Sequence, residues 1–207
     1  SSAMQINDIN PIMVGGLIGP KNDCYQPSEA LGADEAKSFH AHQIDELTLT
    51  NIDYILAQTM PSIHESLGMA MALATSEIPY IISFCIDRTG QVLDGTSLKE
   101  AISFIDGQVR RLPLGYMVNC AYPTFLCPET QPVEVYSRLI GYQANASSMD
   151  ASDLEGADVT HEDSVEDWGD QMIQMNRQYG VSILGGCCGT TDRHLKYIAD
   201  RALPIAH

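Results

Sequence analysis

The sequence predicts an α/β fold in which parallel strands alternate with helices. Short apolar runs of strand length recur along the chain, and they are continuous rather than alternating, which is typical of strands covered on both faces. Segments with the apolar spacing of a helix lie between these runs. With 207 residues, of which 44% are hydrophobic, the chain is large enough for one domain with a buried core.

Six apolar runs are the candidate strands, and each is separated from the next by a helical or loop segment. Two of the predicted helices begin near residues 164 and 192, after the fifth and sixth runs. Periodicity alone does not distinguish an open doubly wound sheet from a closed barrel. The predicted strands are residues 12–17, 54–57, 80–84, 114–118, 139–144 and 181–184.

Two amphipathic stretches predict helices that begin after Ser62 and Ser97, which are plausible N-cap residues. Glu65 and Glu100 follow these serines at a distance of three residues, which is the spacing of a capping box. The apolar faces of the two helices would consist of Ile63, Leu67, Ala70, Met71 and Ala74, and of Leu98, Ala101, Ile102, Ile105 and Val109.

The net charge of −16 argues against a nucleic-acid partner, since phosphate binding needs a basic surface. The same charge disfavours binding to an anionic membrane. The sequence contains no apolar run near the ~20 residues of a membrane-spanning helix. No secretory signal pattern is evident, and we expect a cytoplasmic protein.

Three of the six cysteines follow predicted strands: Cys120 after the fourth, and the adjacent Cys187 and Cys188 after the sixth. Glycines flank the adjacent pair, in the segment Gly-Gly-Cys-Cys-Gly of residues 185–189, and they favour a tight turn. Three protein thiolates with one open position make a plausible catalytic zinc site. The sequence therefore predicts that these three thiols converge on one soft metal ion.

The other cysteines lack such a pattern. In a reducing compartment, metal binding or free thiols are favoured over disulfides. Cys24 and Cys127 lie in no recognisable motif, and Cys85, at the end of a strand-like run, is predicted to be a small buried apolar residue.

The double-cysteine segment and the Val-Asn-Cys that ends at Cys120 resemble the homocysteine S-methyltransferase family. Further stretches resemble motifs of that family in the same order along the chain, and together they cover most of it. They are residues 14–20, similar to "AGSIGP"; 58–62, similar to "ETMPS"; 82–84, similar to "ISF"; 94–97, similar to "DGTS"; and 142–146, similar to a "YPNAG"-like strand end.

The resemblance implies a (β/α)8 TIM barrel, here an incomplete barrel of about six parallel strand–helix units. The family's first two units, with an Asp-Gly-Gly motif, have no counterpart, and a full barrel usually needs ~250 residues. We interpret residues 1–3 as a tag remnant and residues 4–207 as a single domain. Open strand edges are prone to pairing, so we expect a homo-oligomer or a complex through them.

The resemblance also implies a function, the zinc-dependent transfer of a methyl group to the thiol of homocysteine, which forms methionine. Cys120, Cys187 and Cys188 would hold Zn²⁺. A separate methyl donor is required; family members use a sulfonium, betaine, or a folate and cobalamin system.

Four further residues at predicted strand ends are assigned by resemblance to substrate binding: Gln58, Thr59, Asn119 and Asn145. Gln58 departs from the family, which has glutamate there. A carboxylate could pair with a substrate ammonium group, whereas an amide can only form a hydrogen bond with it.

Two other interpretations remain open. The chain could be a truncated, non-catalytic homologue that acts as a subunit or interaction protein, with its cysteines free of zinc. It could also be a zinc-binding module with a different thiol substrate. The enzymatic interpretation requires that the missing barrel units be supplied.

Overall fold

In a computed structural model, which describes residues 12–149 and 163–202, six parallel strands form one sheet. The order of the strands in the sheet is their order in the chain. The strands are β1 (Gly15–Ile18), β2 (Tyr54–Met60), β3 (Tyr80–Phe84), β4 (Gly115–Ala121), β5 (Leu139–Ala144) and β6 (Ile183–Gly186).

Helices connect most of the strands, and short 3-10 turns at Pro27–Glu29 and Pro123–Leu126 lie in two of the loops. Within the described ranges, no helix combines the length and apolar character needed to cross a bilayer. The helices are α1 (Ala33–Thr48), α2 (Ile63–Leu73), α3 (Leu98–Gln108), α4 (Val133–Tyr136), α5 (Val165–Tyr179) and α6 (Asp192–Ala199).

This sequential strand order distinguishes the barrel type from the open doubly wound sheet. In a doubly wound sheet the order reverses at a switch point, whereas each strand of a (β/α)8 barrel pairs with the next one along the chain. All five strand pairs here are parallel and sequential. The prediction of an incomplete barrel with six parallel strands is therefore confirmed.

The main hydrophobic core lies between the sheet and the helices. Its largest fully buried side chains include Trp168 of α5, Tyr80 of β3 and Tyr116 of β4. The helices thus cover one face of the sheet.

The opposite face of the sheet, which would be the barrel interior, has a smaller apolar cluster of Leu56, Ile81 and Met117. These central residues are at most 8% exposed. Towards the two edges the exposure rises, to 59% at Leu17 of β1 and 40% at Ile183 of β6. The interior face is therefore covered in the middle and open at both edge strands.

The helix starts agree with the sequence analysis except at one residue. Ser97 and Glu100 form the predicted capping box of α3, and the Ser62 side chain accepts a hydrogen bond at the start of α2. Glu65 does not complete the box at α2, so this part of the prediction is wrong. Its carboxylate instead accepts hydrogen bonds from the backbone of residues 21 and 31 in the β1–α1 loop.

Strand boundaries differ at both ends: β1 and β6 begin later than predicted, at Gly15 and Ile183, and also end later, at Ile18 and Gly186. β2 and β4 continue beyond the apolar runs, to Met60 and Ala121, because each contains an irregularity that extends pairing into polar residues. The tag assigned to residues 1–3 lies outside the described residues.

Candidate metal centre

Three cysteine side chains converge at the carboxyl edge of the sheet, where all the parallel strands end. Cys120 belongs to β4, and Cys187 and Cys188 form the turn after β6. The Sγ atoms of Cys120 and Cys187 are 2.9 Å apart, and those of Cys187 and Cys188 are 4.0 Å apart. All three sulfurs lie within 4.8 Å of one another. The three sulfurs thus lie close together, and their binding of a metal ion stays a prediction.

Backbone irregularities orient the polar residues at this edge. Cys120 has φ 55° and Thr59 has φ 65°, values in the left-handed region that non-glycine residues rarely adopt. Both positions coincide with register shifts, one between β2 and β3 and the other between β4 and β5. A β-bulge redirects a side chain relative to the regular pleat, so these bulges change the direction of both side chains.

Asn119 holds the two bulges together. Its Oδ1 accepts hydrogen bonds from the Thr59 backbone N–H, at 3.0 Å, and from the Ser83 hydroxyl, at 2.6 Å. Its Nδ2 donates to the Cys120 sulfur at 3.1 Å. The Asn119 side chain is fully buried, so this network offsets part of the strain at Thr59 and Cys120.

The turn after β6 is also held by hydrogen bonds to β5. The Cys187 N–H donates to the Ala144 carbonyl at 2.7 Å, and the Cys188 N–H donates to Asn145 Oδ1 at 3.2 Å. A Cβ on Gly186 would lie 2.1 Å from Thr190 Oγ1, and Gly189 has φ 77°. Both positions need glycine, because a side chain would collide at the first and strain the backbone at the second.

The three sulfurs strongly influence one another's protonation. The pKa of Cys188 is lowered to about 3, because the Cys120 and Cys187 thiols donate hydrogen bonds to its sulfur. The pKa of Cys187 is raised by its hydrogen bonds to Cys120 and Cys188 and by burial. For Cys120, the lowering effect of Cys187 is outweighed by Cys188, Cys85 and burial, so its pKa is raised as well. A single negative charge is thus favoured in the absence of a cation.

The donor set fits zinc. Three soft thiolates are among the ligands that Zn²⁺ prefers, and a tetrahedral site with Zn–S distances of about 2.3 Å places sulfurs about 3.8 Å apart. The observed sulfur separations of 2.9 and 4.0 Å lie on either side of that value. A divalent cation would also compensate the charge that otherwise prevents all three thiols from ionising.

A cavity of about 300 Å³ lies beside Cys120 and Asn145. Tyr25, in the β1–α1 loop, and Arg88, after β3, contribute polar groups to its wall. Burial raises the pKa of the Tyr25 hydroxyl, which keeps the phenol protonated at neutral pH. The Arg88 guanidinium lies over the Phe125 ring, with Cζ 4.7 Å from the ring centroid. The cavity is a space in which a small polar molecule could reach the Cys120 sulfur.

The four predicted substrate-binding residues all lie at this edge of the sheet, in different environments. Gln58 donates from Nε2 to Gln143 Oε1 at 3.1 Å. Thr59 and Asn119 belong to the network at the bulges, and Asn145 lines the cavity. Their role in substrate binding stays a prediction.

Sequence reasoning missed several groups close to the centre. Tyr25 and Arg88 lie in loops without a motif, and only the folding of those loops brings them to the cavity. Cys85 is buried, as predicted, at 1% exposure, and Cys24 and Cys120 lie close enough to affect the pKa of its thiol. Its position directly after a strand was the only signal in the sequence.

Comparisons with known proteins agree with this geometry. The chain is 30% identical over 183 residues to homocysteine S-methyltransferase 2 of Arabidopsis thaliana, covering 84% of this chain and 52% of the relative. It is 29% identical over 175 residues to selenocysteine Se-methyltransferase of Brassica oleracea var. italica, covering 80% and 48%. The chain thus spans about half the length of these curated relatives.

Solved structures show the same fold. The metallated form of the homocysteine methyltransferase MmuM from Escherichia coli matches with a TM-score of 0.66 at 18% identity, over 92% of this chain and 62% of that one. Its oxidized form matches with a TM-score of 0.70 at 17% identity, with the same coverage. The family model described as homocysteine S-methyltransferase matches residues 1–202. The chain therefore belongs to the homocysteine S-methyltransferase family.

Proposed function

We propose that this chain forms the metal-binding part of an enzyme that transfers a methyl group to the thiol of homocysteine. The observation that supports it most is the convergence of Cys120, Cys187 and Cys188 within 4.8 Å at the carboxyl edge of the sheet, which is where active sites of barrel enzymes lie. The reaction class, methyl transfer to a thiol, is proposed from membership of the homocysteine S-methyltransferase family.

Cys120, Cys187 and Cys188 are the proposed zinc ligands. When bound, zinc would act as a Lewis acid that keeps the substrate thiol deprotonated at neutral pH. The protein keeps the ligands in place through Asn119, whose amide nitrogen is 3.1 Å from the Cys120 sulfur, and through Asn145, which accepts a hydrogen bond from the Cys188 N–H. Such outer contacts orient the ligands and affect metal affinity.

The reaction is a nucleophilic substitution at the methyl carbon of the donor. The homocysteine thiolate forms a bond to that carbon, while the bond from the carbon to the donor's positively charged sulfur or nitrogen breaks, and the electron pair stays on the donor atom. The thiol proton is released to solvent before the attack, since the thiolate is the nucleophile. The products are methionine and the demethylated donor.

The amino-acid part of homocysteine would lie in the cavity beside Cys120. We propose that Gln58, Thr59 and Asn145 contact it, and that Asn119 contributes by holding Thr59 and Cys120 in their bulged conformations. The protonated Tyr25 hydroxyl at the cavity wall supplies one more donor.

Association through the edges of β1 and β6 is part of this proposal. Leu17 and Ile183 expose 59% and 40% of their surface on the interior face, and each belongs to a strand that has one neighbour in the described sheet. Pairing with further strand–helix units, in an oligomer or a complex, would cover these residues and satisfy the free edge groups. Size-exclusion chromatography with light scattering would then give a mass above 22.6 kDa.

Metal analysis tests the site directly. The purified chain and a Cys127→Ser control should each bind one zinc ion, measured by plasma mass spectrometry after dialysis. Cys127 is a suitable control because its thiol donates a hydrogen bond to the Arg88 carbonyl and is not one of the three clustered cysteines. For Cys187→Ser we expect a loss of affinity of more than about 100-fold, since loss of an outer-shell partner alone costs 10–100-fold.

Activity separates this proposal from a non-catalytic subunit. Zinc-loaded chain is incubated with homocysteine and an isotope-labelled sulfonium methyl donor, and labelled methionine is measured by mass spectrometry. Methionine formation that disappears in Cys187→Ser supports the enzymatic function. Metal-free protein without thiol methylation would exclude it and favour the interaction protein.

A further inference from the structure

The cavity beside Cys120 has two charged side chains in its described wall, and they are adjacent in the chain. Asp87 and Arg88 lie in the loop after β3, at the carboxyl edge of the sheet. The function proposed above uses neither of them. The rest of that wall consists of apolar, hydroxyl, amide and thiol side chains, so this pair is suited to recognise the charged groups of a ligand.

Asp87 is held in place through one of its two carboxylate oxygens. Its Oδ1 accepts hydrogen bonds from the Thr89 N–H at 2.8 Å, the Thr89 hydroxyl at 2.7 Å and the Gln91 N–H at 3.2 Å. The backbone closes the same turn, since the Asp87 N–H donates to the Gln91 carbonyl at 2.8 Å. Within the described part of the chain no group donates to Oδ2, so this oxygen can accept a hydrogen bond from a ligand.

Arg88 is held by contacts with two other loops. Its Nη2 donates to the Ser148 carbonyl, in the loop after β5, at 2.7 Å. The guanidinium lies over the ring of Phe125, in the loop after β4, and further contacts of Arg88 add to these. The planar guanidinium has five N–H donors in a fork that matches a carboxylate. These contacts therefore keep a cation of suitable geometry at the wall of the cavity.

A free α-amino acid is complementary to such a pair. At neutral pH it carries an ammonium and a carboxylate group on one carbon atom, here called the head group. A neighbouring anion and cation on the protein match these two charges. The cavity volume of about 300 Å³ suits a small ligand, and Ile86 and Leu93 provide apolar surface for its methylene groups.

We propose that Asp87 and Arg88 recognise the head group of the thiol substrate. Asp87 Oδ2 accepts hydrogen bonds from the ammonium group, and the Arg88 guanidinium donates to the carboxylate. The inference rests on the proposed function, in which the substrate thiol lies at the metal centre beside Cys120. Asn145 lines the same cavity, so its amide can contact the same ligand.

The pair makes the site selective for thiols that are also amino acids. A substrate without the ammonium or the carboxylate leaves one charged side chain of the cavity without its partner, and such a mismatch lowers affinity. Hydrogen bonds to charged groups are the stronger kind, but Arg88 is exposed to solvent. We therefore expect a difference of about tenfold in affinity for each missing group, the lower end of the range.

Ligand-observed NMR titrations of the purified full chain test this selectivity. The probes are thioethers, so their binding does not depend on a bond between a thiolate and a metal ion. They are L-methionine, 4-(methylthio)butyrate, which lacks the ammonium group, and 3-(methylthio)propylamine, which lacks the carboxylate. Methionine should bind about tenfold more tightly than either analogue. Equal affinities for the three probes, or no binding of methionine at millimolar concentrations, would overturn the proposal.

Two substitutions separate recognition from a structural role. Asp87→Asn keeps an Oδ1 that accepts the hydrogen bonds of the turn but removes the charge, and Arg88→Met keeps an apolar stem over Phe125. Asp87→Asn should weaken methionine and the propylamine about tenfold without weakening the butyrate. Arg88→Met should weaken methionine and the butyrate without weakening the propylamine. A variant that weakens all three probes equally would overturn the role assigned to that residue.

Matched controls carry the same chemical changes outside the cavity. Asp45→Asn on α1 and Arg110→Met before β4 replace exposed residues that do not line it, and all three affinities should stay unchanged. Competition identifies which reactant the pair holds. L-homocysteine should displace methionine, whereas displacement by the sulfonium amino acid S-methyl-L-methionine alone would assign the pair to the methyl donor and overturn the proposal.

Failure of this inference is distinct from failure of the proposed function. Binding of the thioether probes needs neither zinc nor a methyl donor. The proposed function is tested by the zinc content of the chain and by methionine formation from homocysteine, and both can succeed in a chain that does not distinguish the three probes.

Discussion

Glu65 offers the most direct test of how the loop above the metal centre is held. Its carboxylate is fully buried and accepts three hydrogen bonds. Oε1 accepts from the Lys21 N–H at 2.9 Å and contacts His40 Nε2 at 3.2 Å, while Oε2 accepts from the Leu31 N–H at 3.1 Å. These contacts tie both ends of the β1–α1 loop, which includes Tyr25, to helix α2.

Replacement of Glu65 by glutamine puts an NH₂ group where one carboxylate oxygen accepted a hydrogen bond. At least one charge-assisted bond is lost, worth about 1.5–3 kcal/mol, and a buried N–H is left facing another donor. We expect the free energy of unfolding of Glu65→Gln to fall by about 2–4 kcal/mol at neutral pH.

The effect should also depend on pH. Burial by itself raises the pKa of Glu65, but the hydrogen bonds from His40 and from the backbone of Lys21 and Leu31 outweigh it, so the pKa lies below its ordinary value. A lowered pKa in the folded state stabilises the fold at neutral pH, and this stabilisation is lost as the pH falls through that value. Glutamine does not titrate, so the difference between variant and wild type should shrink below about pH 4.

Urea unfolding followed by circular dichroism, at pH 7 and at acid pH, measures both effects. Glu46→Gln is the matched control, because Glu46 is exposed on α1 and its change should stay within about 0.5 kcal/mol. A Glu65→Gln chain as stable as the control variant at pH 7 would refute the reasoning. So would a difference from wild type that is the same at both pH values.

Three further substitutions test the packing of α1 on α2 and the network at the site. Gly68→Ala would place a Cβ 2.2 Å from the Ala33 carbonyl oxygen and should lower the stability by about 1–3 kcal/mol. Gly107→Ala, with open space around it in α3, should raise the stability by about 0.5–1 kcal/mol. Thermal melts that reverse this order would contradict the assigned packing of α1 on α2. Asn119→Ala should leave the half-buried N–H of Thr59 without its acceptor, lower the stability by about 1–3 kcal/mol and weaken zinc binding. Unchanged unfolding and zinc titrations would contradict the positioning role of Asn119.

Patterns among neighbouring residues of the sequence predicted most of the architecture. The apolar runs located all six strands because parallel strands covered by helices are apolar along their whole length. The same rule placed Cys120 and Cys187 at one edge of the sheet, since parallel strands end on the same side. Ser97 and Glu100 were recognisable because a capping box depends on spacing within a single turn.

Contacts between residues far apart in the chain determined the features that the sequence did not predict. The spacing of Ser62 and Glu65 also suggested a capping box, but the β1–α1 loop folds back and provides backbone donors that take up the carboxylate. The bulges at Thr59 and Cys120 depend on one buried asparagine, Asn119, that no local pattern identifies.

The sequence by itself therefore determined the fold class, the family resemblance and the three cysteines at the strand ends. Only the tertiary structure brought their sulfurs within 4.8 Å of one another. The physical reason is that periodicity and capping act over a few residues. The distance between two sulfurs, in contrast, depends on strand pairing, bulges and loop anchoring between residues far apart in the chain.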